Sequence, residues 1–239
     1  MKVLRTLREL NEFVAKKKQT RKKIGFVPTM GFLHAGHISL IHLSKSQTDI
    51  TIASIYVNPS QFNDSKDYEK YPKDEAKDLE LLMKGLCDAV FIPLQDEIEK
   101  IKKNKPIDFG GLDKIMESRF RPGHFTGVVE VVSRLFEVVN PDKAFFGEKD
   151  FQQLQIIKRM VDQLHLSVEI IGGPIVRESN GLAMSSRNSR LSKKAREKAG
   201  FIYRVLSDFT EYKRSSFEKE LLELGFELEY LEQHDFGDQ

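Results

Sequence analysis

A single cysteine, Cys87, is all the thiol chemistry this chain carries. That excludes an intramolecular disulfide framework and suits a reducing compartment. Strong charge of one sign is also missing. Lys and Arg number 38 against 36 Asp and Glu, so the net charge is +2 and no global field draws the chain to nucleic acid. No apolar run approaches membrane-spanning length, and no partner membrane is expected. Met1 to Leu10 alternates charged and apolar residues rather than reading as a secretory leader, so the expected location is cytoplasmic. Tandem repeats and low-complexity tracts are absent from the sequence. What is there is a 239-residue chain, 40% hydrophobic and 31% charged, which is an ordinary globular balance for one large domain or two smaller ones.

The chain is organised around IGFVPTMGFLHAGHISLI, Ile24 to Ile41. Ile24 to Val27 is an apolar run fit for a buried strand, and Pro28 cannot donate to a ladder, so the strand is expected to stop there. Gly31 and Gly36 allow a tight turn and close backbone approach. His37 is expected to open a helix with Ile38, Leu40 and Ile41 on its apolar side. A helix start offers free N–H groups and a positive dipole end, which suits phosphate. His34 and His37 flank that point. They do not read as a metal pair, since no third ligand stands at useful spacing.

A strand start and an amphipathic helix with Leu7, Leu10 and Val14 inward occupy Met1 to Lys23. Its basic clusters read as a solvated helix end. Ile50 to Val57 is a β-branched strand that ends in NPSQF, Asn58 to Phe62. Asn63 to Lys73 lacks a period and reads as a mobile loop. Lys73 to Leu86 reads as a helix with Leu79, Leu82, Met83 and Leu86 inward, followed by a strand at Ala89 to Pro93; Cys87 between them reads as a buried thiol. Gln95 to Lys105 reads as a surface helix or loop. MESRFRPGHFTG, Met116 to Gly127, precedes an apolar helix, Val128 to Val139. KAFFGEKDFQQL, Lys143 to Leu154, repeats strand, glycine turn and helix, with Asp150 able to cap the helix from Phe151 and Lys149 placed for a phosphate. Ser167 to Val176 is a further strand. RESNGLAMSSRNSRLS follows, where Ser185, Ser186 and Arg187 suit triphosphate. Helices at Ser192 to Tyr212 and Ser216 to Leu224 and a strand at Phe226 to Leu231 complete the reading.

PTMGFLHAGH resembles the signature of the pantothenate synthetases, members of the nucleotidyltransferase superfamily that carries a HIGH-type motif. VNPSQF, RPGHF, GEKDFQQL and MSSRN resemble further segments of that family in the same order, over roughly Ile24 to Leu191. The resemblance implies an α/β fold: a Rossmann-like parallel-sheet domain, residues 1–175, with a smaller α+β C-terminal lid, residues 176–239. Family members usually continue beyond the point corresponding to Gln239, so the lid is expected to be small. It implies ATP contacts at Met30, Gly31, Phe32, Leu33, His34, Ala35, Gly36 and His37, at Gly147, Glu148, Lys149 and Asp150, at Val176, and at Met184, Ser185, Ser186 and Arg187. Asn58, Gln61 and Gln153 are implied to bind pantoate, and Gln61 also β-alanine. RPGHF is expected to border the site without a catalytic assignment.

The implied activity is ATP-dependent condensation of pantoate with β-alanine through a pantoyl adenylate. A carboxylate is a poor acylating agent, and adenylation supplies a better leaving group. His37, His34 and Lys149 are the candidates for stabilising charge at the α-phosphate. Mg²⁺ is expected with ATP, and a homodimer is implied. Another nucleotidyltransferase would share the histidine pair without needing NPSQF or Gln153. A non-catalytic ATP-binding regulator would not need the intact set His34, His37, Lys149 and Arg187. An RNA-binding module fits poorly, because the basic clusters lack interleaved aromatics.

Overall fold

The computed structural model describes residues 1–63 and 65–234. Asp64, within the expected loop at 63–73, and residues 235–239, most of the HDFGDQ end, lie outside the described residues. Strands β1 (Lys2–Leu4), β2 (Ile24–Thr29), β3 (Ile50–Ile55), β4 (Ala89–Phe91), β5 (Lys143–Gly147) and β6 (Glu169–Gly173) form one sheet in the order β1-β4-β3-β2-β5-β6. Every pairing is parallel. From β2 the chain steps through β3 to β4 on one side and later to β5 and β6 on the other. The reversal point therefore lies between β2 and β5, where open α/β sheets bind ligands beyond the strand ends.

Helices cover both faces, as buried parallel strands require. On one face α1 (Leu7–Gln19), α7 (His124–Val139) and α8 (Phe151–Gln163) bury Leu10, Val14, Val128, Val132, Ile156 and Met160 against Phe26 and Ile52. On the other, α2 (Ala35–Gln47) and α4 (Glu75–Lys84) bury Leu40, Ile41 and Leu82 against Val27, Ala53 and Phe145. Short helices α3 (Ser65–Glu69), α5 (Gln95–Glu99) and α6 (Glu117–Phe120) lie in the connections. Cys87 is buried as expected, and burial pushes its thiol up to about 11.

Strand β2 does not stop at Pro28: Pro28 and Thr29 stay in register with Ser54 and Ile55. The alternation of the backbone explains this. Ile24 bonds toward the β5 side through Asp142, whereas the Thr29 carbonyl accepts from Tyr56 N on the β3 side. Pro28 has the parity of Ile24, so its missing N–H faces β5. The β2–β5 pairing has already ended at Phe26 and Ala144, so no ladder bond is lost.

Other expectations shift as well. Helix α2 begins at Ala35, with His34 as its N-cap, so His37 sits in the first turn rather than opening the helix. Met83 and Leu86 point outward, 54% and 70% exposed, while the inward face of α4 carries Asp78 and Leu82. Leu86 has already left the helix with φ +60°. Instead of one helix over Ser192 to Tyr212 there are two, α9 (Lys193–Ala199) and α10 (Phe201–Ser207), divided at Gly200, and Ile202 and Leu206 are exposed. Phe226 to Leu231 is not a strand. Among the described residues it has no partner strand; its apolar residues pack on Val205 and Leu221 of α10 and α11 (Arg214–Glu223). Past Arg177 the described residues hold helices, turns and one isolated antiparallel bridge, Arg177 with Ala183.

Candidate active site

A cleft of about 230 Å³ opens above the C-terminal ends of β2 and β5. Its floor is apolar, with Pro28, Val128, Val131, Leu135, Phe145 and Phe146. Its rim is polar and basic. Of the residues expected to bind ligand, Met30, His34, Gly36, His37, Gln61, Gly147, Lys149, Asp150, Gln153, Val176, Met184, Ser185, Ser186 and Arg187 line it. Gly31, Phe32, Leu33, Ala35, Glu148 and Asn58 do not.

The turn from β2 into α2 is built to aim two imidazoles. His34 Nδ1 accepts from Gly36 N at 3.2 Å, and His37 Nδ1 accepts from His34 N at 3.2 Å. This is a reciprocal cap in which each histidine satisfies a free N–H of the helix start. The bonding fixes the tautomer: both Nδ1 atoms accept, so both protons sit on Nε2 and remain available as donors. The rings lie 4.1 Å apart between centroids. Burial, with the Lys149 cation second, pushes His34 down to about 4. Burial, then His34 and Lys149, pushes His37 down to about 3. Both rings are therefore neutral donors at neutral pH.

Sequence reasoning missed the residue that holds this turn. Asp78 of α4 is buried, and its carboxylate accepts from Phe32 N at 2.8 Å and Leu33 N at 2.6 Å. Burial pushes its carboxyl above the ordinary carboxylate value, against the pull of those two N–H groups. Gly31 passes the same spot with φ +81°, where a Cβ would stand 3.0 Å from the Asp78 oxygen. Thus Gly31, Phe32 and Leu33 shape the wall from behind. The available signal was an aspartate on the inward face of an amphipathic helix.

Asn58 also works from behind. Its amide donates to Gly127 O at 3.0 Å, and its oxygen accepts from the Ser60 hydroxyl at 3.1 Å. This pins the start of α7 to the turn at Pro59–Gln61. Gly127 is required there, because a Cβ would lie 2.4 Å from Ser60 O. The same turn is held by His124, whose Nδ1 lies 2.8 Å from the Gln61 carbonyl. His124 lines the cleft, and burial lowers its affinity for a proton. Arg121 reaches the same carbonyl and Glu117, and Arg119 pairs with Glu232.

The two neighbouring glutamines of α8 divide their work. Gln152 is buried, accepts from Glu117 N, and donates to Leu112 O, Ile115 O and Ser118 Oγ. Gln153 faces the cleft, as does Gln61 from the other side of the floor, and neither side-chain amide bonds to protein among the described residues. Asp150 does not cap α8 with its side chain; Lys149 Nζ holds that carboxylate at 2.8 Å.

The MSSRN segment is a formed 3-10 turn rather than a loose loop. Ser186 Oγ donates to Phe32 O at 3.0 Å, which ties it to the α2 turn. Asn188 donates to Glu178 and Ala183, and Glu178 is gripped by Arg196. The described residues of the 65–73 stretch are structured as well. They include α3 and a buried Tyr71 that lines the cleft, and Phe62 stacks edge-on against Tyr68 and Tyr71. Among the described residues no helix is long and apolar enough to cross a membrane.

The family model for pantoate-beta-alanine ligase matches residues 2–236. A pantothenate synthetase of Porphyromonas gingivalis is 49% identical over 206 residues, which cover 86% of this chain and 73% of that protein. One of Caldicellulosiruptor bescii is 45% identical over 243 residues, 97% of this chain and 86% of that protein. The crystal structure of a Francisella tularensis pantoate-beta-alanine ligase complexed with beta-gamma ATP and beta-alanine superposes with a TM-score of 0.91 at 34% identity, covering 98% of this chain and 90% of that one.

Proposed function

The chain belongs to the pantoate-beta-alanine ligase family, and we propose that it reaches its amide product through a pantoyl adenylate formed in the cleft between β2 and β5. It is a ligase that joins pantoate to β-alanine, and ATP is its substrate. A pantoate carboxylate oxygen attacks the α-phosphorus of ATP, the bond to the bridging oxygen breaks, and pyrophosphate leaves. The β-alanine amine then attacks the acyl carbon, AMP departs, and the new amide nitrogen loses a proton.

The observation that carries this reading is the pair of neutral imidazoles with free Nε2–H groups at the start of α2, on a cleft that also bears Lys149. Adenylation needs charge stabilisation at the α-phosphate more than a protein nucleophile, and donors fixed before the reaction supply it without reorganisation. His37, His34 and Lys149 take that role. Ser185, Ser186 and Arg187 hold the β,γ end, and Met30, Gly36, Gly147, Asp150 and Val176, which line the cleft, contact the rest of the nucleotide, while Gly31, Phe32 and Leu33 act by shaping its wall. Gln61 and Gln153 bind pantoate over the apolar floor, with Gln61 shared by β-alanine; Asn58 acts by fixing the Gln61 turn.

Mg²⁺ enters with ATP in this reading. Among the described residues no three His, Cys, Asp or Glu gather as a ligand set, and no side chain of this chain is assigned to the ion. Its contribution is to neutralise the triphosphate. Residues 1–175 form the nucleotide domain and 176–239 the lid, and two chains associate as a homodimer in the cytoplasm; sedimentation velocity tests the dimer. The chemical test is pantoate-dependent exchange of labelled pyrophosphate into ATP without β-alanine. Pantothenate formation with no such exchange would refute the adenylate.

A further inference from the structure

Arg187 does not stand at the cleft unsupported. Its Nη2 donates to Asp67 Oδ2 at 2.8 Å, while Arg190 Nη1 donates to the other oxygen, Oδ1, at 2.7 Å. Arg190 Nη2 also reaches the Lys70 carbonyl at 2.9 Å, and the Arg187 guanidinium lies 5.6 Å from the centre of the Tyr71 ring. Segment 67–71 and the turn at Ser186–Arg190 are thus fastened by two arginines and one carboxylate, across 120 positions of sequence.

We propose that Asp67 is a positioning residue for the first half-reaction: it holds the Arg187 guanidinium at the cleft so that its remaining donors meet the triphosphate. This rests on the reading of Arg187 as a triphosphate ligand. A carboxylate that occupied the phosphate site would take a guanidinium edge with both oxygens, the common bidentate arrangement. Here each oxygen serves a different arginine. Arg187 gives Asp67 one nitrogen only, and its Nη1 and Nε have no protein acceptor among the described residues. Asp67 therefore steers the fork without filling it. Burial tends to raise the Asp67 carboxyl, but the hydrogen bonds and charges of the two guanidiniums outweigh that and hold it below the ordinary value, so it stays anionic through the neutral range. The ring of Tyr71 beside the guanidinium restricts the fork further.

The test compares Asp67→Asn, Arg187→Ala and the double variant in the two half-reactions. Asp67→Asn keeps the shape and removes the charge. The expected result is a rise of about fivefold in half-saturating ATP for pantoate-dependent pyrophosphate exchange, the scale of one partly exposed charge pair. Half-saturating pantoate and the rate at which supplied pantoyl adenylate is consumed by β-alanine stay unchanged, since no β,γ phosphates remain in that step. In the Arg187→Ala background the Asp67 change adds nothing further. A merely structural Asp67 would instead damage both half-reactions, and that result overturns the proposal. So does a fall in half-saturating ATP, which would make Asp67 a competitor of phosphate. Damage from Arg187→Ala with none from Asp67→Asn overturns the positioning role alone. Normal ATP saturation in Arg187→Ala removes the triphosphate reading itself, and the positioning role with it.

Discussion

On the proposed reading, replacing His37 by asparagine separates the cap its ring provides from the donor it offers to the nucleotide. The Asn oxygen stands near the place of Nδ1 and can still accept from His34 N, so the cap of α2 survives. Nothing then occupies the position of Nε2, and the donor aimed at the cleft is lost. A side-chain cap is worth about 1 kcal/mol, whereas one oriented donor to developing negative charge is worth about 2.7–4 kcal/mol, or two to three orders of magnitude in rate. His37→Asn should therefore unfold at nearly the wild-type urea midpoint and lose about 10²- to 10³-fold in pantoate-dependent pyrophosphate exchange. His37→Ala should lose the same rate and about 1 kcal/mol of stability as well. His37→Gln reaches the Nε2 position with an amide donor and should recover part of the rate while losing the cap. Exchange is measured at saturating ATP and pantoate, beside urea denaturation of each variant. A folded His37→Asn protein within about fivefold of wild-type exchange would refute the donor assignment, because the structural estimate leaves no room for so small a loss.

Four further outcomes are expected. Gln61→Ala and Gln153→Ala should raise half-saturating pantoate by at least about tenfold and leave ATP saturation unchanged, whereas Gln152→Ala, which strands buried partners, should lower the melting temperature by an amount equivalent to about 1–3 kcal/mol. The depressed histidines make stability fall with acid: the unfolded chain takes up protons below about pH 6.5, while folded His34 and His37 resist until about 4 and 3. The enclosed His37 should cost up to about 1.4 kcal/mol per pH unit in that window and the more solvent-screened His34 less, so the drop in urea midpoint from pH 7 to pH 5 should be smaller in His37→Asn than in wild type. Asp78→Asn leaves two wall N–H groups competing for a weaker acceptor and should reduce ATP affinity and stability together, read by isothermal calorimetry and thermal melting. Cys87 should resist a thiol reagent in the native state and react once urea unfolds the chain, since it is buried and its thiol is pushed up to about 11.

What the sequence made legible were features whose cause is local. A strand, a glycine turn and a helix start can be recognised from neighbouring residues, so β2 to α2 and β5 to α8 were expected where they occur. The pairing of Pro28 was not, because whether a missing N–H matters depends on which neighbour strand it faces. The strand expected at Phe226 to Leu231 fails for a similarly non-local reason: Phe226, Leu228 and Leu231 pack on Val205 and Leu221 of α10 and α11 rather than beside a strand. At the site, the identity of the cleft-lining residues was largely legible, but what orients them was not. Asp78 is 45 positions from Leu33, and Asp67 is 120 from Arg187.

Long-range contacts also decide the state of the Arg187 end of the cleft. The hydroxyl-rich composition of MSSR beside Gly181 would by itself favour a segment that is loose until ATP orders it. The structure has Ser186 bonded to Phe32 O, Asn188 bonded to Glu178, and Arg187 held by Asp67. On the proposed reading of Arg187, nucleotide then meets a fork already restrained, and the entropy cost of ordering that segment falls largely on folding rather than on binding. Arg187→Lys keeps the charge but offers no planar fork for Asp67 and phosphate to share. It should slow adenylation and leave consumption of supplied pantoyl adenylate near normal, and rapid-quench measurement of each step distinguishes that outcome from equal damage to both, which would mean that Arg187 shapes the whole cleft.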